Sequence, residues 1–146
     1  MNTFKSKFFD ELSAHELFEI IRARQEIFLM EQNIVCRDAD DFDYESLHCF
    51  IESSGKVIAY LRAYPDGDNV RIGRVLTLTH RKGHGRALME FGMAEIERRM
   101  GKRKILLHSQ CHAEGFYEKL GFSRCSDVFL EEGIEHVEMK WDDNCS

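Results

Sequence analysis

The sequence is short of proline, of paired cysteines, of long apolar runs and of positive charge. Each shortage excludes something. Pro65 is the one proline in 146 residues and no Gly/Ser-rich tract occurs, which argues against a linker, a long disordered tail or a collagen-like segment. The five cysteines (Cys36, Cys49, Cys111, Cys125 and Cys145) are odd in number, scattered, and never spaced Cys-x-x-Cys. That pattern fits reduced thiols of a cytoplasmic protein better than a disulfide frame or a zinc site. No apolar run approaches the ~18 residues of a membrane span, and the first ten residues hold no apolar block of signal-peptide length. No membrane association is expected. A net charge of −6 makes the chain a poor general binder of nucleic acid.

What is present is ordinary globular material. Hydrophobic residues make up 43% and charged residues 32%, and the length suits one domain spanning 1–146. The acidic average hides an asymmetry. Residues 71–104 carry ten Lys and Arg against Glu90, Glu95 and Glu97, a surplus of seven positive charges, and the remainder is correspondingly acidic. A basic middle in an acidic chain points to a small anionic ligand held by one element. Over 98–104 a solvated basic helix face explains the charges as well.

The patterning predicts a mixed α/β (α+β) chain. Residues 4–9 read as a first strand. Ser13 with Glu16 three residues on is a capping-box signature, and Leu17, Phe18, Ile20, Ile21, Ile27 and Phe28 continue it as one amphipathic helix. The acidic stretch 37–45 reads as a loop. Strands follow at 48–52, 57–64 and 70–78 as an antiparallel meander, the second ended by Pro65 and the polar residues after it. The period then changes: Met89, Met93, Ile96 and Met100 mark a helix over 85–100, stopped by Gly101. A strand at 105–107, a short helix at 113–120 ended by Gly121, and a hairpin of 122–130 with 134–141 complete the chain.

Two segments carry chemistry. In the first, the strand at Val75, Leu76 and Thr77 runs through His80, Arg81, Lys82, Gly83, His84, Gly85 and Arg86 into the long helix. Glycines let the backbone approach a ligand, and free amides at a helix start attract phosphate. The loop is neither a Walker loop nor a dinucleotide fingerprint, since the Lys-Ser/Thr and the third glycine are missing. An ordinary tight turn is the competing account. The second segment is Gln110-Cys111-His112-Ala113-Glu114-Gly115-Phe116-Tyr117-Glu118-Lys119-Leu120-Gly121-Phe122.

Together they resemble the GNAT N-acetyltransferases. Phe-Tyr-x-Lys-x-Gly-Phe follows a strand, with the Gly-x-Gly loop and helix upstream. The run from Arg24 to Gln32, the acidic loop, His48, Gly73-Arg74-Val75 and Glu132-Gly133-Ile134-Glu135-His136 resemble the ElaA-like branch of that superfamily. The resemblance spans nearly the whole chain. It implies a mixed, mostly antiparallel central sheet with flanking helices and acetyl-CoA as cosubstrate. A pantetheine groove would open where the strand at Val75 splays from the strand at Leu106. Backbone groups of Val75, Leu76 and Thr77 would face the pantetheine arm and the carbonyl, amides of Arg81, Lys82, Gly83, His84, Gly85 and Arg86 the pyrophosphate, and Gln110 the coenzyme. Tyr117 would protonate the leaving thiolate. Two departures stand out: the loop opens His80-Arg81 where the family has Arg/Gln-Gly, and 133–136 read Gly-Ile-Glu-His in place of Gly-Ile-Pro-His.

Attack of an amine on a thioester needs an oriented acyl group, a stabilised carbonyl oxygen, a proton for the thiolate and a base for the amine. Glu31, His48, His108, His112 and His136 are the candidate bases, and the residues do not choose among them. Against these stand structural readings: Phe116 and Tyr117 as core aromatics, His108 as a satisfied histidine of an apolar strand, Glu31 as a solvated helix end. The pairs His80/His84 and His108/His112 have metal spacing, but no His-Glu-x-x-His pattern exists and no metal is expected. Asp38, Asp40, Asp41 and Asp43 lack the glycine and glutamate of a calcium loop. With Glu31, Glu131, Glu132 and Glu135 they read as an acidic rim that is either solvated or draws a cationic acceptor. Cys111 is the one candidate for an acyl-enzyme, and direct transfer is the expectation. The expected partners are acetyl-CoA and an amine-bearing acceptor. A homodimer stays open, and the alternative function is a non-catalytic acyl-CoA-binding or sensing module.

Overall fold

The structure, a computed structural model, describes residues 2–79 and 82–142. His80, Arg81 and Cys145, all singled out above, lie outside the described residues. The chain runs β1 (Asn2–Phe8), α1 (Ala14–Arg24), a π-helical continuation (Gln25–Glu31), α2 (Phe42–Glu45), β2 (Leu47–Ser53), β3 (Lys56–Asp66), β4 (Asn69–Thr77), α3 (His84–Met100), β5 (Ile105–Gln110), α4 (Glu114–Glu118), β6 (Ser123–Arg124), β7 (Phe129–Glu131) and β8 (Ile134–Trp141). One sheet in the order β1-β2-β3-β4-β5-β8-β6, with β7 also on β8, joins all the strands. Every pairing is antiparallel except β4 with β5.

Helices cover both faces. Ile20, Ala23 and Ile27 bury against Phe50, Val57, Tyr60 and Leu76 on one side. Leu88, Met89 and Ile96 of α3 bury against Cys49, Leu61 and Ile72 on the other. Gly92 lets α3 approach the sheet closely: a Cβ there would meet Leu61 Cδ2 at 2.9 Å. No helix among the described residues is long and apolar enough to cross a membrane.

The capping box forms as read, with Ser13 Oγ accepting from the Glu16 amide at 3.0 Å and Glu16 Oε1 from the Ser13 amide at 2.9 Å. Four expectations change. The amphipathic helix keeps α pitch only to Arg24; beyond it the turns widen, and the Gln32 amide reaches back five residues to the Ile27 carbonyl at 2.9 Å. The loop at 37–45 ends in the turn α2, seeded by Asp40 Oδ1 accepting from the Phe42 amide at 3.1 Å. β3 runs through Pro65, which pairs with Val70 at the hairpin end. The strand expected over 122–130 is broken in two, because Ser126 Oγ takes the Glu138 amide at 2.8 Å. A side chain thereby replaces a ladder carbonyl, and β6 and β7 part.

Candidate active site

The parallel pair β4–β5 is in register at Val70 with Ile105, Arg71 with Leu106 and Ile72 with Leu107, and at no residue beyond. β4 continues to Thr77 and β5 to Gln110, so the two strands separate as they advance. The separation begins at a β-bulge: Tyr60 faces Leu76 and Arg62 faces Gly73, with Arg74 at φ +55° taking up the extra residue. From Gly73 onward the edge of β4 that faces β5 has no strand opposite it. A cleft of about 240 Å³ fills the gap.

Gly73, Arg74 and Val75 form one wall, His108 and Gln110 the other, and Tyr117 also lines the cleft. Phe28, Gln32, Ile34, Cys36 and Asp38 close it from the π-helical segment and the arm after it, and Glu131, Glu132 and His136 from the hairpin of β7 and β8. The cleft therefore gathers residues from five separate parts of the chain. Gln110 Nε2 reaches across it to Gln32 Oε1 at 3.2 Å.

Tyr117 is buried, flanked edge-on by Phe116 and Phe122 at 5.0 and 6.0 Å between centroids. Burial pushes its hydroxyl up to about 12. It stays protonated across the physiological range and can act only as a donor there. At the far end of β4, Thr77 and Phe116 both come against Gly85, where an added Cβ would sit 3.7 Å from Thr77 and 3.4 Å from Phe116. α3 begins at the same place. Its N-cap, Gly83, is left-handed at φ +74°, and no side chain among the described residues caps the first turn, which also lacks acids. The first amides of a 17-residue helix are left for a ligand or water. His84 Nδ1 is buried beside them with no hydrogen-bond partner among the described residues, while Lys82 and Arg86 are exposed and Arg86 leans on Glu90 at 3.4 Å. Leu76, by contrast, points its side chain into the core under α1.

The candidate bases scatter. His48 is 1% exposed, accepts from the Tyr60 hydroxyl at 2.6 Å and donates to the Asp43 carbonyl at 2.9 Å. It lines a different hollow, of about 460 Å³, between α1 and α2. Burial lowers its pKa. Glu31 sits at the end of the π-helical segment and does not line the cleft. His108 is satisfied, as expected, but it is exposed rather than enclosed by the strand's apolar neighbours. Leu107 and Ser109 point into the core, so His108 faces the cleft, with Nδ1 2.8 Å from Glu131 and Nε2 3.0 Å from Glu138. The Glu131 contact raises its pKa. Cys111 packs against the core and does not line the cleft.

The acidic rim divides in the same way. Asp43 accepts from Arg24 Nη1 at 2.8 Å and Arg62 Nη1 at 2.9 Å, Asp40 from Arg62 at 2.6 and 2.9 Å, and Asp38 from Arg24 Nε at 2.9 Å and Arg74 Nε at 3.0 Å. These three are partly exposed, yet each is engaged by one or two arginines. They pin the arm to α1, β3 and the bulge. Arg74 and Gln32, which received no role from the sequence, are thus parts of the cleft. The signal for Arg74 was a non-glycine bulge residue after Gly73, which no local pattern reveals. Among the described residues no group of three His, Cys, Asp or Glu side chains could hold a metal ion.

Comparison with known proteins agrees with this geometry. A family model described as the acetyltransferase (GNAT) domain matches residues 24–142. A UPF0039 protein of Schizosaccharomyces pombe is 35% identical over 94% of this chain and 95% of its own. Among solved structures, an acyl-CoA N-acyltransferase from Pseudomonas aeruginosa superposes with a TM-score of 0.91 at 28% identity, covering 97% of this chain and 99% of that one. Escherichia coli ElaA does so with a TM-score of 0.91 at 26% identity, covering 97% and 100%. With its sheet opened between β4 and β5 and its whole length matched, the chain belongs to the GNAT acetyltransferase family, in the ElaA-like branch.

Proposed function

We propose that the protein transfers an acetyl group from acetyl-CoA directly to an amine. The observation that carries this is the gap between two parallel strands with Tyr117 buried at its side. An extended acyl-pantetheine chain can lie along the unpaired edge of β4 at Val75, Leu76 and Thr77, taking backbone hydrogen bonds in place of a strand. Gln110 faces it from β5. The uncapped start of α3, from Gly83 through His84 and Gly85 to Arg86, receives the pyrophosphate, with Lys82 and Arg81 adding charge. An amide of the β4 edge polarises the thioester carbonyl. Tyr117 delivers a proton to sulfur as the C–S bond breaks. The free thiols Cys36, Cys49, Cys111 and Cys125 support a reducing compartment, the cytoplasm.

Calorimetry with acetyl-CoA, and free-thiol release with a panel of amines, test the reading. Gly83→Asp is the sharpest variant. An added Cβ there meets no described residue within 4 Å, and Asp is among the residues that best tolerate the left-handed backbone, so the strain stays local. Its carboxylate would cap the α3 amides itself and repel a phosphate. Coenzyme affinity should fall by more than 10-fold. Unchanged affinity in the folded variant removes the loop from the coenzyme site, and binding without turnover on any amine favours the non-catalytic module.

A further inference from the structure

Resting on that reading, we infer that His136 is the base that takes the acceptor amine's proton, held in place by Glu131 and Phe129. His136 stands on β8 directly opposite Gln110, at the end of β5 where the cleft opens, and lines the cleft while only 7% exposed. Its Nδ1 is 2.7 Å from the Ile134 carbonyl. A carbonyl can only accept, so Nδ1 carries the proton and, in the neutral ring, Nε2 carries the lone pair. That nitrogen lies 3.6 Å from Glu131 Oε2, too far for a hydrogen bond, so no donor occupies its lone pair among the described residues and the carboxylate faces it.

The other candidates are each disqualified by geometry. His48 has both nitrogens engaged in another part of the molecule. His108 faces a carboxylate with each nitrogen, an arrangement that places a proton on both and leaves no lone pair. Glu31 does not line the cleft. His112 lines it, yet no hydrogen bond among the described residues fixes its ring or its tautomer. His136 alone has an oriented lone pair. Phe129 steadies it, stacking on His136 at 6.1 Å and meeting His108 edge-on at 4.9 Å. His108, in turn, fixes Glu131 through its other oxygen, so both are positioning residues. The charged and titratable groups that share the cleft with His136 are Glu131 on β7, Glu132 in the turn, His108 on β5, His112 beyond it, Tyr117 on α4, Arg74 on β4, and Cys36 and Asp38 on the arm.

The step balances simply. As the amine nitrogen bonds to the thioester carbon it gains positive charge, and its proton becomes acidic enough for an imidazole. His136 Nε2 takes that proton, the C–S bond breaks, and the thiolate takes one from Tyr117. Water returns a proton from His136 to Tyr117, leaving amide and free thiol.

Two measurements test this. The first needs no acceptor: ¹⁵N NMR of the imidazoles in the full chain should give His136 as the Nδ1–H tautomer above neutral pH. An Nε2–H tautomer overturns the proposal. The second follows thiol release from acetyl-CoA with spermidine, phenethylamine and a lysine peptide. His136→Gln should lower kcat by about 10²-fold at neutral pH and replace the wild-type plateau by a rate that keeps climbing with pH, while acetyl-CoA affinity by calorimetry stays at the wild-type value. The loss should shrink at high pH, where solvent hydroxide removes the same proton. Glu131→Gln should give a smaller kcat loss with the KM for acetyl-CoA unchanged. A wild-type pH profile in His136→Gln, or an equal loss in His112→Gln, overturns the assignment. Absence of acetyl-CoA binding by the wild type would instead sink the acetyltransferase reading, and the tautomer would still decide whether His136 has the lone pair assigned to it.

Discussion

Two charged clusters lie on either side of the Arg74 bulge and use the same side-chain types to opposite ends. In the first, Arg24, Arg62, Asp38, Asp40 and Asp43 form a web between α1, β3 and the arm in which both guanidinium groups are almost fully buried and each carboxylate serves one or two of them. In the second, His108, Glu131 and His136 line the cleft, Glu138 holds the other nitrogen of His108, and only a 3.6 Å contact joins His136 Nε2 to Glu131. The web fixes geometry because its carboxylates and nearly all its guanidinium donors are engaged, Arg62 Nε being the exception among the described residues. An unsaturated cluster at a cleft can exchange a proton. The web therefore holds the wall, and the cleft cluster is where the proposed chemistry would take place.

The largest effect that would test this division is on stability. Asp43→Ala takes the shared carboxylate from Arg24 and Arg62, which are 2% and 4% exposed, and leaves two buried cations short of a partner. Breaking such a pair costs about 3–5 kcal/mol, and the low end is expected because Asp38 and Asp40 remain. Denaturant unfolding reads it directly. The acid limb gives a second check. Burial alone would raise the Asp43 pKa, but the Arg24 contacts outweigh it and bring it to about 2. A depressed carboxylate stabilises the fold above its unfolded pKa and loses that contribution as pH falls, here from ~4 toward 2. Glu16 and Glu95 are also held at about 2 and lose their contributions in the same window. Asp43→Ala should therefore flatten the acid limb in part. An unaltered limb would mean that the web is ornamental.

The web was not legible in the sequence, and the reason is distance along the chain. Ser13 and Glu16 declare a cap because both partners lie within four residues, and the Met89-to-Met100 stripe and the Gly83 turn are equally local. Arg24 meets Asp38 and Asp43 from 14 and 19 residues away, and Arg62 meets Asp40 from 22. Before those meetings are known, four aspartates in one short stretch look like a solvated rim. His108 is satisfied as expected, but its place on the cleft was hidden for a related cause. An apolar strand alternates its faces, and periodicity cannot say that one face opens on a cleft instead of a second layer. The splay of β4 from β5 came from the family resemblance and not from composition; the bulge at Arg74 that starts it leaves no local mark. The break at Ser126 depends on a single hydroxyl finding an amide on the next strand.

On the other side of the comparison the expected effect is kinetic. Tyr117→Phe removes a hydroxyl that makes no hydrogen bond among the described residues and leaves the ring packing with Phe116 and Phe122 intact. Stability should be unchanged or slightly higher, since no buried partner is orphaned. Turnover should fall by about 10²-fold with coenzyme affinity near wild type, as for loss of a general acid. A variant that unfolds more easily but turns over normally would move Tyr117 into the structural class and erase the contrast.

The smallest expected effect separates Asp41 from its neighbours. Asp41 is exposed at the start of α2, caps no amide with its side chain, and borders the hollow beside α1 rather than the cleft. Unlike Asp38, Asp40 and Asp43 it holds no arginine. Asp41→Asn should therefore change stability by no more than about 0.5 kcal/mol. Its carboxylate can touch catalysis only through its field. Two unit charges ~10 Å apart in water interact by about 0.4 kcal/mol, and at physiological salt that spacing already exceeds the Debye length of ~8 Å. For a cationic acceptor, KM should rise less than about two-fold at low ionic strength, and the difference should vanish by 0.15 M salt. A rise several-fold larger, or one that survives salt, would mean that the arm meets the acceptor directly. The acids of this stretch would then belong to both clusters at once, and the division drawn between them would fail at Asp41.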